Sequence, residues 1–142
     1  MQKLRFIYGL GCWLFGVVTG AVHVLFELAP KSEKGEELSQ LLATFILELP
    51  GGQVSAYSLF FGISLLMGLM LIGFGIANLL VLHRTPKDHL PPLSFQTVNM
   101  LFSLLALLLA WNYLFILPTL LTGLSFLCFL FVLIAGKVRG TG

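Results

Sequence analysis

The chain has 142 residues, of which 58% are hydrophobic and 10% charged, with a mean hydropathy of +0.99 and a net charge of +2. A soluble domain of this size carries about 25% charged residues, so a soluble enzyme, a secreted disulfide scaffold and a disordered tail are all excluded, and an integral membrane protein is expected. The small net charge and the scattering of basic residues in ones and twos exclude nucleic acid as a partner.

A helix needs about 20 mostly apolar residues to cross roughly 30 Å of hydrocarbon. Four segments qualify: residues 6–28, 55–82, 93–115 and 118–136. The expected fold is therefore all-α, an integral membrane four-helix bundle forming a single domain over residues 1–142. The Thr19-Gly20-Ala21 step in the first segment imitates a signal-peptide cleavage site, but the apolar run continues past it and is read as a retained span. Lys3, Arg5, Arg84, Lys87, Lys137 and Arg139 fall on one side of the four spans, and only Lys31 and Lys34 on the other. By the positive-inside rule both termini are expected in the cytoplasm.

Span one presents Gly9, Gly16, Gly20, His23 and Glu27 along one stripe, with Gly16 and Gly20 forming a GxxxG pair. Lipid offers helices little hydrophobic drive to associate, so close packing through small residues must supply it. Gly16 and Gly20, answered by Gly68 and Gly75 on span two, are the expected packing residues. Cys12 and Cys128 lie inside apolar runs and read as small hydrophobes with no disulfide.

The only long connection follows span one. Within residues 35–49, Leu38, Leu41, Leu42, Phe45, Ile46 and Leu49 recur at helical spacing, while Glu36, Glu37, Ser39, Gln40 and Glu48 fill much of the rest. An amphipathic helix on the outer face is expected, closed by Pro50-Gly51-Gly52. Its acidic polar face argues for covering the bundle or meeting a partner, and against anionic headgroups.

Span two adds Ser64, Gly68, Gly75 and Asn78 to the interior, and span three Gln96, Asn99, Ser103, Ala106, Ala110 and Tyr113. Between these spans the prolines of the His83–Pro92 loop should stop one helix and start the next. The spacing of His83, Asp88 and His89 matches no metal site, and no metal is expected. Spans three and four are separated only by residues 116 and 117, which implies a tight antiparallel hairpin. Trp13, Trp111, Tyr8, Tyr57 and Tyr113 read as interfacial anchors.

An ionisable residue within a span is costly and points to function by default. Span one holds two, His23 and, one turn above it, Glu27, near enough to accept the imidazole N–H. At the same depth the other helices should bring Tyr57, Ser58, Asn112, Tyr113, Thr119 and Thr122. The candidate ligand-binding pocket is therefore His23, Glu27, Tyr57, Ser58, Asn112, Tyr113 and Thr122, near the outer mouth of the bundle. A hydrogen-bonded network that merely fixes helix register explains the same residues.

The run Gly20-Ala-Val-His23-Val-Leu-Phe26, the amphipathic segment and Ser58-Leu-Phe-Phe-Gly62-Ile-Ser64 resemble small uncharacterised four-span bacterial membrane proteins. That resemblance implies a four-helix fold in a bacterial inner membrane and carries no chemistry.

The leading functional expectation is a structural or accessory component that acts through lipid, a membrane-protein partner or a second copy of itself. The alternative is a bundle that binds a small hydrophobic ligand at the outer polar cluster, with His23 as general base oriented by Glu27. No catalytic residue is assigned, since no nucleophile or second carboxylate completes a set. Proton-coupled export is disfavoured because Glu27 lies at the edge of its span. No cofactor is expected: one intramembrane histidine cannot give paired axial haem ligands, and isolated cysteines cannot form a Cys-x-x-Cys redox pair.

Overall fold

A computed structural model describes residues 1–140, the side chains of residues 138–140 excepted. Arg139, counted above for orientation, lies outside the described side chains. The elements in order are α1 (Gln2–Cys12), a π-helical turn (Trp13–Val18), α2 (Thr19–Leu28), α3 (Glu33–Thr44), β1 (Ile46–Leu49), β2 (Gly52–Ser55), α4 (Ala56–Arg84), α5 (Leu93–Tyr113) and α6 (Ile116–Gly140). Four helices are long and apolar enough to cross a membrane: Gln2–Leu28, Ala56–Arg84, Leu93–Tyr113 and Ile116–Lys137. The chain is thus an all-α, multi-pass four-helix bundle, with its spans within a few residues of the expected bounds.

Span one is the hinge of the packing. Along its length it lies against α4, its first half also meets α6, and α6 in turn lies along α5. The glycines explain the first of these contacts. A Cβ on Gly16 would stand 2.5 Å from the Gly75 backbone nitrogen, and one on Gly20 would stand 2.6 Å from the Gly68 carbonyl oxygen. Spans one and two therefore meet backbone to backbone, as small residues allow in lipid. The π-helical turn falls in the middle of this contact, and Thr19 Oγ1 donates to Leu14 O, five residues back, at 2.8 Å. Such a turn widens the helix by one residue, and it does so without turning Gly9, Gly16 and Gly20 away from span two.

Two breaks in the chain follow from local chemistry. Span two ends at Arg84, just ahead of Pro86, and α5 begins directly after Pro91 and Pro92. The unsatisfied backbone there is covered by side chains: Gln96 Nε2 donates to Pro91 O at 2.7 Å. At the other end of the bundle, α5 stops at Tyr113 and α6 starts at Ile116. Pro118 then sits in the first turn of α6, where a missing N–H costs nothing.

The connection between spans one and two departs from expectation. The helix runs from Glu33 to Thr44 and not over residues 35–49. Ser32 caps its start, accepting from Gly35 N at 3.3 Å, and Glu33 and Glu36 sit in its positive first turn. Beyond Thr44 the chain turns extended, and Ile46–Leu49 pairs antiparallel with Gly52–Ser55. The Pro50-Gly51 turn decides this outcome. Gly51 and Gly52 adopt φ of 114° and 149°, which a side chain resists, so the glycines close a hairpin and do not simply end a helix.

Tyr8 also departs from expectation. It is fully buried and does not anchor the interface: with Cys12, Phe15, Phe129 and Val132 it forms the core at the N-terminal end of the bundle. Its ring packs edge-on against Phe129, with centroids 5.5 Å apart. Both cysteines are free.

Candidate functional site

His23 and Glu27 lie one helical turn apart on α2, about 7 Å and 2 Å below the end of span one at 1.5 Å per residue. They are not hydrogen-bonded to each other. Ser64, eight residues into α4, stands between them. Its hydroxyl donates to Glu27 Oε2 at 2.8 Å and lies 3.0 Å from His23 Nε2. The same imidazole nitrogen is 3.1 Å from the Ser64 carbonyl oxygen, which can only accept. Nε2 therefore carries a proton, and the chain runs in one direction, from His23 Nε2–H to Ser64 Oγ–H to the Glu27 carboxylate. All three residues are half-buried between spans one and two.

The glycine contact holds this chain in place. A Cβ on Gly68 would stand 2.6 Å from Val24 Cγ2 and 3.2 Å from His23 Cδ2. A side chain at residue 68 would therefore crowd both Val24 and the imidazole.

The other residues expected at the pocket do not converge on His23. Asn112 donates to Leu108 O of its own helix at 2.7 Å, and Thr122 to Pro118 O at 2.8 Å. Tyr113 is 81% exposed. Ser58 is taken by the cap of α4, where Ser55 Oγ accepts from Ser58 N at 3.2 Å and donates to Ser58 Oγ at 2.9 Å. Tyr57 belongs to a neighbouring arrangement. Lys31 Nζ donates to its hydroxyl at 3.2 Å and to Ser39 Oγ at 2.8 Å, and lies 4.3 Å from the centre of its ring.

These Lys31 contacts, with the hydrogen bond from Ala56 N to Phe45 O at 2.8 Å, tie α3 and the hairpin to the first two residues of span two. The outer segment is therefore held level with the mouth of the bundle. Ser39 and Leu42 are half-buried, while Leu38, Leu41, Phe45, Ile46 and Leu49 are exposed, Leu41 by 56%. Glu33, Glu36 and Glu37 form no ion pair or hydrogen bond through their side chains among the described residues.

Two further clusters carry polar side chains that sequence reasoning assigned to packing or left alone. In the core, Asn99 Nδ2 donates to Tyr8 Oη at 2.5 Å and to Asn78 Oδ1 at 2.7 Å, and Asn78 in turn donates to Phe74 O at 3.0 Å. One triad thus joins spans one, two and three. The signal was present, since Asn78 and Asn99 both fall on interior stripes, but Tyr8 reads as an interfacial anchor from its distance to the chain start.

The second cluster is built by Arg5. Its guanidinium donates to Leu82 O at 2.6 Å, Pro86 O at 2.7 Å and His89 O at 2.6 Å. It closes the C-terminal end of α4 and the loop after it in one grip, a role suited to a planar group with five donors at the negative end of a helix. In the same loop Asp88 pairs with His89 Nδ1 at 3.0 Å, and that hydrogen bond holds the Asp88 carboxyl below its ordinary range. Among the described residues no three His, Cys, Asp or Glu side chains converge as a metal set.

The chain matches no protein-family model, and comparison with curated proteins and with solved structures finds no relative.

Proposed function

We propose that the chain is a structural or accessory component of a bacterial inner membrane, with both termini cytoplasmic, that works by direct contact with lipid. The observation that carries this reading is the unpartnered apolar stripe of Leu38, Leu41 and Phe45 along α3 and its C-cap, fixed at the level where span two begins. A helix in that position, apolar on one side and charged on the other, lies in the plane of the interface with its apolar side against the acyl boundary. The carboxylates of Glu33, Glu36 and Glu37 then face water. The distribution of Lys and Arg supports the orientation. The test is the depth of residue 41 in reconstituted vesicles, read from a nitroxide placed there. Contact with a larger membrane protein or a second copy through the same stripe is the competing outcome of that test.

A second reading is favoured by one observation, the directed chain from His23 through Ser64 to an intramembrane carboxylate. Under it the outer polar residues bind a small hydrophobic molecule. Purification of wild type and His23→Ala in mild detergent, with mass spectrometry of retained molecules, decides it. A defined compound held by the wild type and lost from the variant supports ligand binding, and identical retention removes it.

A further inference from the structure

The two ends of the bundle differ sharply in charge. At the end carrying the chain start, Lys3, Arg5, Arg84, Lys87, Lys137 and Arg139 are opposed by Asp88 alone, whereas at the other end Lys31 and Lys34 stand among Glu27, Glu33, Glu36, Glu37 and Glu48. Two adjoining hollows open at the positive end. One is lined by Met1, Gln2, Lys3, Lys87 and Asp88, and the other, entirely apolar in its exposed lining, by Gln2, Lys3, Phe6 and Ile7. They share Gln2 and Lys3, and the second lies against Phe6 and Ile7 on the side of span one.

We infer that this pair of hollows is a binding site for a monoanionic phospholipid, with the phosphodiester between Lys3 and Lys87 and an acyl chain along Phe6 and Ile7. The ammonium groups suit the role because neither is otherwise engaged: Lys3 and Lys87 are exposed and form no hydrogen bond or ion pair through their side chains among the described residues. Arg5 is not available, since its donors close the loop carbonyls. Asp88 is already paired with His89, and the cationic groups of the hollow outnumber it, so the site is net positive and suits a phosphodiester anion. Gln2 lines both hollows. Phe6, 72% exposed just below Lys3, gives the lipid tail a surface at the depth where a chain leaves its headgroup. Basic pockets beside membrane helices hold anionic headgroups by this combination of charge and apolar wall.

The inference rests on the reading that the chain contacts lipid, yet it fails separately, because it concerns the opposite end of the bundle and depends on headgroup charge. The experiment is native mass spectrometry of the full chain in mild detergent with equal amounts of phosphatidylglycerol and phosphatidylcholine. The wild type should retain phosphatidylglycerol preferentially. Lys3→Gln and Lys87→Gln should each lower that preference about fivefold, and Phe6→Ala should weaken retention of the lipid. Lys34→Gln removes one charge from the other end and should leave the preference unchanged. Excess inorganic phosphate separates the two sources of the same chemistry. A lipid site keeps its phosphatidylglycerol, whereas displacement by phosphate would reduce the site to one for free anions. The inference is overturned by equal retention of the two lipids, or by an equal loss in the Lys34→Gln control.

Discussion

Ser64 of span two donates its hydroxyl proton to Glu27 of span one at 2.8 Å, and so stands where a direct contact between His23 and Glu27 is expected from their spacing. The consequence is that two polar residues of one helix are bound to each other only through its neighbour. The chain ties spans one and two together on the α3 side of the glycine contact.

Ser64→Ala should therefore loosen the pairing of spans one and two by about 1–2 kcal/mol, the scale of interhelical hydrogen bonds in membranes. A double-mutant cycle of Ser64→Ala with Glu27→Gln, read by unfolding in mixed micelles, should give a coupling clearly above zero. Additive effects would show that the hydroxyl and the carboxylate act independently.

Gly16→Leu and Gly20→Leu force a side chain into the span-two backbone. The cost should be at least the 1–3 kcal/mol typical of overpacking, seen as a lower thermal midpoint in detergent. Gly62 and Gly73 serve as controls, because a Cβ at either position meets nothing within 4 Å. Gly62→Leu should leave the midpoint nearly unchanged.

In the core, Asn99→Leu leaves the Tyr8 hydroxyl and the Asn78 amide without their shared partner. Destabilisation of about 1–3 kcal/mol is expected from unpaired buried polar groups. Tyr8→Phe should cost less than Asn99→Leu, since Asn99 keeps its bond to Asn78. The two variants should be non-additive when combined.

Arg5→Ala releases three carbonyls at once and should unfasten residues 82–89. Faster hydrogen exchange at the end of α4 and a loss of about 1.5–3 kcal/mol are expected for hydrogen bonds from a charged group. Arg5→Lys should not restore protection, because an ammonium lacks the planar fork that reaches Leu82, Pro86 and His89 together.

The spans and the glycine contact were legible in the sequence because lipid imposes length and small residues impose closeness. Each constraint acts on residues close together in the chain. The hairpin at Ile46–Ser55 was not, since its apolar residues fit a helical period as well as a strand, and only the backbone angles of Gly51 and Gly52 decide between them. The candidate site was legible in part. His23 and Glu27 declare themselves by their cost in a span, and Ser64 falls on the interior stripe of span two. Which helix supplies their partners depends on rotation about each axis, and a common depth could not reveal that Asn112 and Thr122 bond within their own helices. Arg5 was invisible for a similar reason: its partners are backbone carbonyls more than 75 residues away, which no side-chain pattern records.

The most direct measurement of the lipid-contact reading is the depth of residue 41 in phosphatidylcholine vesicles. A nitroxide on Leu41→Cys is compared with one on Glu36→Cys, which lies on the polar side of α3. If the apolar stripe rests in the interface, the label at residue 41 collides more with dissolved oxygen than with a water-soluble nickel chelate, and the label at residue 36 does the reverse. Equal exposure of both labels to the chelate, or shielding of residue 41 from both reagents, would contradict it: the first means that the segment stands free in water, the second that a protein surface covers the stripe.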